Sequence, residues 1–211
     1  MKSRGVLLML AGGVCLLAAA VLSAANRLEE HHGEIAARRA EQILERDVIP
    51  APSGEGGDGY GTTASQMQTV EIDGREYIGV LSIPSLGLDL PVLYQWSYDL
   101  LKEAPCRYSG SFQDDSMIVA GHNYRKHFSG IKNMRQGDAV RFTDVNGTIY
   151  RYTVEDLERI RGTDVEGMEA GAWDLTLFTC TYGGQDRMAV RCVRDYGQEH
   201  KQERGQDHKQ D

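Results

Sequence analysis

The strongest constraint on this chain lies at its start. Gly5 to Ala25 runs 21 residues without a charge, directly after the basic Met1-Lys2-Ser3-Arg4. That length matches the ~20 residues a helix needs to cross a bilayer. It exceeds the roughly 7–15 apolar residues of most cleaved signal peptides. The run therefore reads as a signal anchor, a transmembrane helix within residues 1–25, although Ser23-Ala24-Ala25 also fits a small-residue cleavage site. Lys2 and Arg4 favour a cytoplasmic N-terminus. On either reading everything after residue 26 is exported, and the anchored reading makes the protein single-pass in the cell membrane.

Composition narrows the rest. A net charge of -8 and a pI near 5.3, with no basic stripe, exclude a typical nucleic-acid binder. Residues 26–48 have helical periodicity amid Glu and Arg, with Leu28, Ile35, Ile43 and Leu44 as a thin apolar stripe, and read as a stalk. A Gly-rich stretch over 50–68 reads as a flexible linker, so 26–69 is expected to be stalk plus linker. Residues 197–211 contain no apolar side chain and read as a solvated tail.

Between these lies a folded domain over 70–196. Tyr77–Ile83, Leu90–Tyr94, Ser116–Ala120, Ala139–Thr143, Thr148–Val154, Asp174–Cys180 and Arg187–Arg194 are strand-like runs. Pro84 stops the first, and Asn146-Gly147 is a hairpin signal between the fourth and fifth. Phe128, Ile131 and Met134 suggest a turn or two of helix, and Glu158–Trp173 reads as a connection. The fold class is all-β with short helices, a small barrel or sandwich.

Of four cysteines, Cys106, Cys180 and Cys192 are exported, so they cannot all pair within one chain. Cys180 is the best candidate for the unpaired one. Cys106 and Cys192 fit either a disulfide or two separate buried thiols. No CxxC pair points to thioredoxin-like chemistry.

Cys180 ends the run Leu175-Thr176-Leu177-Phe178-Thr179, where strand meets loop. His122 ends another strand, after Ala120-Gly121, and Gly121 permits a turn that aims the ring outward. Arg187 opens the last strand. A thiol nucleophile, a proton-transfer group and a fixed cation are the parts of a covalent acyl-transfer site. Alternation puts Arg187, Ala189 and Arg191 on one face and Met188, Val190 and Cys192 on the core face. Arg191 then reads as a solvent-facing charge, and His127 is the rival histidine.

Thr176-Leu177-Phe178-Thr179-Cys180 with Arg187, together with Gly121-His122, resembles the sortases, the cysteine transpeptidases of Gram-positive cell surfaces, in a class B-like or class D-like form. The likeness covers roughly Tyr77 to Val193. It implies an eight-stranded β-barrel, with Cys180 as nucleophile and His122 as proton donor to the leaving amine. It also implies Arg187 at the oxyanion and Thr179 as a substrate contact. The implied substrates are surface proteins with a Leu-Pro-X-Thr-Gly-like sorting motif, and the implied acceptor is a cell-wall or pilin amine. No metal or cofactor is expected. The residues by themselves also fit an exported thiol hydrolase or a non-catalytic surface barrel. A zinc site built on Cys180 and His122 lacks the further ligands such sites use.

Overall fold

The computed structural model describes residues 2–49 and 67–196. Most of the expected linker and the whole tail over 197–211 lie outside the described residues. Among the described residues nine strands follow the first helix: β1 (Val70–Ile72), β2 (Arg75–Ile83), β3 (Leu88–Leu93), β4 (Cys106–Ser109), β5 (Met117–Ala120), β6 (Ala139–Asp144), β7 (Ile149–Arg161), β8 (Leu175–Cys180) and β9 (Asp186–Arg194). Eight of them close a barrel in the order β2-β3-β4-β5-β8-β9-β7-β6, with β6 pairing back onto β2. β1 lies outside the ring, paired with the start of β2.

Local chemistry sets several of these boundaries. β2 ends where Pro84 begins a 3-10 turn. Within β2 the register shifts between Tyr77 and Gly79. Gly79 has φ +152, and a Cβ there would lie 2.1 Å from the Thr143 carbonyl, so only glycine fits. At the β6–β7 turn, Asp144 Oδ1 accepts from the amides of Asn146 and Thr148. β7 runs past the expected Val154 to Arg161 and pairs with β9 from Tyr152 to its end. Its outer half is rich in Glu, Asp and Arg, so no apolar alternation marked it as strand. β4, only four residues long, also escaped the sequence pattern.

The barrel interior is filled by Ile78, Leu81, Val92, Val119, Phe142, Leu177, Val190 and their neighbours. Cys192 sits in this core and Cys106 in a second cluster, and both are unpaired thiols. Burial pushes each thiol up to about 12.

Helix α1 (Lys2–Ile43) is continuous from the apolar run into the folded domain. It is long and apolar enough to cross a membrane. Its final turns lie against the barrel, through a face the sequence did not advertise. Leu28 and Ile35 are exposed, whereas Gly33, Ala37, Ala40 and Leu44 are buried, at the i, i+4, i+7, i+11 spacing of one helix stripe. Small residues let the backbones approach closely: a Cβ on Gly33 would lie 2.0 Å from the Lys102 carbonyl. Leu44 reaches full burial in the cluster with Tyr77, Leu93, Ala104 and Cys106.

Candidate active site

Two parallel strands bring distant parts of the sequence together. β5 and β8 pair in parallel with Ala120 opposite Phe178. The Gly121 amide donates to the Phe178 carbonyl at 2.9 Å, extending the pairing one residue further. His122 and Cys180 each stand two residues beyond that pair, so they leave neighbouring strand ends on the same level. β9 runs antiparallel on the other side of β8, with Arg187 directly opposite Cys180. One end of three adjacent strands thus carries histidine, cysteine and arginine in that order.

Alternation decides which way each side chain points. Leu175 and Leu177 face the barrel core, and Phe178 and Cys180 face outward. Cys180 is exposed. It lines a groove of about 240 Å³ together with Arg187, Phe178, Gly121, Arg161, Met168 and the aromatic residues Trp96, Tyr98 and Tyr108. Thr179 falls on the inward side, 4% exposed, and does not line this groove. Its Oγ1 has no hydrogen-bond partner among the described residues.

His122 is half-buried and stacks on Tyr124, with ring centroids 3.8 Å apart and 16° between planes. Its carbonyl accepts from the Phe128 amide at 3.2 Å. Gly121 is needed for space rather than for an unusual backbone angle: a Cβ there would lie 2.3 Å from Phe128 Cδ2. His127 is elsewhere. It is 2% exposed and borders a separate groove against α1. Burial, with a smaller contribution from the nearby His122, pushes it down to about 4, so it stays neutral.

Arg187 Nη1 donates to the carbonyls of Gly184 and Asp186, which holds its guanidinium beside the groove. Arg191 departs from the solvent-facing role expected of it. It is 1% exposed, and each of its three nitrogens donates. Its Nε donates to Glu158 Oε1 at 2.6 Å, Nη1 to the Met168 carbonyl at 2.7 Å and Thr176 Oγ1 at 3.0 Å, and Nη2 to the Gly167 carbonyl at 2.7 Å. The segment from 162 to 174 folds back over the outer barrel face and buries it there, which strand alternation alone does not reveal.

The aromatic wall was missed from sequence. Trp96 contacts Tyr98 at 5.2 Å and Tyr108 at 5.5 Å, and Tyr108 meets Phe178 edge-on at 5.3 Å. The alternating Tyr94, Trp96 and Tyr98 were the available signal, but nothing in the sequence tied them to Cys180. Among the described residues, no group of three or more His, Cys, Asp or Glu side chains is placed to hold a metal ion.

Residues 81–195, more than half of the chain, match the family described as Sortase domain. The chain belongs to the sortase family. Sortase A of Bacillus anthracis is 30% identical over 122 residues, which cover 55% of this chain and 58% of that protein. Among solved structures, a Clostridium perfringens sortase D5 transpeptidase superposes with a TM-score of 0.55 at 16% identity, covering 78% of this chain and 99% of that one. Sortase C1 from Streptococcus agalactiae gives 0.54 at 23% identity, covering 77% and 87%. These two carry the fold, a sortase-type barrel of eight strands.

Proposed function

We propose that this sortase is a membrane-anchored cysteine transpeptidase. The observation that supports the reading is the parallel β5–β8 register, which ends both strands at one level, two residues before His122 and Cys180, while Arg187 pairs with Cys180 across β8 and β9. In the proposed reaction the Cys180 thiolate attacks the carbonyl carbon of a peptide bond. The tetrahedral oxyanion forms near Arg187, a cation that keeps its proton throughout. As the C–N bond breaks, His122 gives its proton to the departing amine. That leaves an acyl-thioester on Cys180. An incoming amine attacks the thioester and passes its proton to His122, and the C–S bond breaks to restore the thiolate.

The substrate is proposed to be a surface protein with a Leu-Pro-X-Thr-Gly-like sorting motif, and the acceptor a cell-wall or pilin amine. Thr179 lies next to the nucleophile with its side chain inward, so any contribution to substrate contact passes through its backbone. The long apolar helix supports single-pass anchoring, and Lys2 and Arg4 ahead of it favour the barrel on the extracellular face.

The test is mass spectrometry of the full chain in mild detergent, incubated with sorting-motif peptides with and without amine acceptors. The full chain is used because Ala40 of α1 and Leu44 just after it belong to the packed face. A Cys180 acyl adduct and a ligated product are expected, and Cys180→Ala should give neither. Cleavage by water alone, whatever amine is offered, would instead make the protein a thiol hydrolase. Full turnover by Cys180→Ala would sink the nucleophile assignment.

A further inference from the structure

The outer faces of β8 and β9 form three rows, and each has its own task. Cys180 and Arg187 make the top row, Phe178 and Ala189 the second, Thr176 and Arg191 the third. Arg191 stands four residues from Arg187 along β9, about 13 Å at the usual strand rise, so it acts away from the reacting thiol. What it holds is α2 (Val165–Glu169).

This helix has five residues, far too few to persist alone. At its start, Asp164 Oδ1 accepts from the Gly167 amide at 2.8 Å. Toward its end, the carbonyls of Gly167 and Met168 have no room for intrahelical partners, as in any final turn. Arg191 supplies both, one from each terminal nitrogen. The only buried side chain on α2 is Met168, which packs with Ile160, Ala189 and Phe178 in a small cluster on the outside of the barrel. The guanidinium lies beneath that cluster, with Glu158 as its counter-charge. Asp164, Val165 and Met168 then form one wall of the Cys180 groove.

We propose that Arg191 is a positioning residue for substrate binding: by fixing α2 from below, it sets the shape of the peptide-facing wall and takes no part in bond making at Cys180. This rests on the reading of the Cys180 groove as the peptide site. Arginine suits the task because its planar fork reaches two carbonyls, a side-chain hydroxyl and a carboxylate at once, whereas a lysine ammonium is a single point of charge.

The experiment compares wild type, Arg191→Lys and Arg191→Met, each as the full chain in detergent. The peptide is the one wild type processes fastest from a Leu-Pro-X-Thr-Gly-type panel. Three quantities are read: KM and kcat, the rate and pH profile of Cys180 alkylation by iodoacetamide, and hydrogen exchange over 162–174. Losing carbonyl partners should raise KM roughly tenfold in Arg191→Met and by less in Arg191→Lys. Values of kcat should stay within about twofold. Alkylation should be unchanged, and exchange over 162–174 faster. Arg191→Lys keeps the charge and remains informative if Arg191→Met fails to fold. Wild-type turnover with unchanged KM in folded Arg191→Lys overturns the proposal alone. So does a fall in kcat or a shifted alkylation profile at constant KM, which would place Arg191 in the chemistry. A wild type that processes no peptide overturns the groove reading and, with it, this proposal; the exchange data then still report whether Arg191 anchors α2.

Discussion

Replacing His127 by Phe should remove most of one acid-sensitive contribution to stability. The ring is almost fully enclosed, with Nδ1 unpartnered among the described residues, and burial holds its protonation down to about 4 against an ordinary 6.5. His122 adds to the depression, and Glu34 on α1 opposes it. Between those two values the unfolded chain binds a proton at this site and the folded chain does not. Stability therefore falls as pH drops through that window. About 2.5 pH units at ~1.36 kcal/mol each gives an upper limit of roughly 3 kcal/mol, most of it lost by about pH 4.5. The assay is urea unfolding of the full chain in detergent, for wild type and His127→Phe, at about pH 7.5 and about pH 4.5. Other groups titrating in this range cancel in the difference between the two proteins. Wild type should lose roughly 2–3 kcal/mol more than the variant on acidification. Equal losses would mean that His127 is protonated in the folded state, and the argument from burial would fail.

Three further outcomes follow from the same geometry. Arg187→Ala should lower kcat/KM ~100- to 1000-fold with little change in Tm, since its bonds go only to the nearby backbone carbonyls of Gly184 and Asp186; a loss below about tenfold would remove it from the oxyanion role. Of the three cysteines beyond residue 26, only Cys180 should react with a thiol reagent in the native protein, because burial pushes Cys106 and Cys192 to about 12; peptide mapping after alkylation checks this, and labelling at either buried site would contradict it. Gly121→Ala forces a Cβ to 2.3 Å from Phe128 Cδ2, so it should cost about 1–3 kcal/mol and slow turnover by displacing His122, measured as Tm together with kcat.

Much of the barrel was readable because its strands are short, apolar and closed by turn residues with specific geometry. Pro84 and Asn146-Gly147 ended and joined strands where the sequence placed them. The strand outer half over Asp156–Arg161 was not readable, because charged side chains fall on both of its faces and its partner, β9, comes from far along the chain. The docked face of α1 was hidden for a different reason. Gly33, Ala37 and Ala40 carry little hydrophobic signal, and their value lies in how closely they let two backbones approach.

The sequence by itself determined that a long apolar helix precedes a β-rich domain. It also singled out Cys180, His122 and Arg187, since strand ends followed by such residue types are visible one strand at a time. Only the tertiary structure decided that the strands carrying them are neighbours. The parallel pairing of β5 with β8 joins segments almost 60 residues apart, and sequence carries no local record of that register. The two arginines on β9 show the same limit. Alternation puts Arg187 and Arg191 on one face, yet the fold leaves one beside the open groove and encloses the other under α2. Period-two patterning fixes the face of a strand, but what covers that face is set by chain from elsewhere.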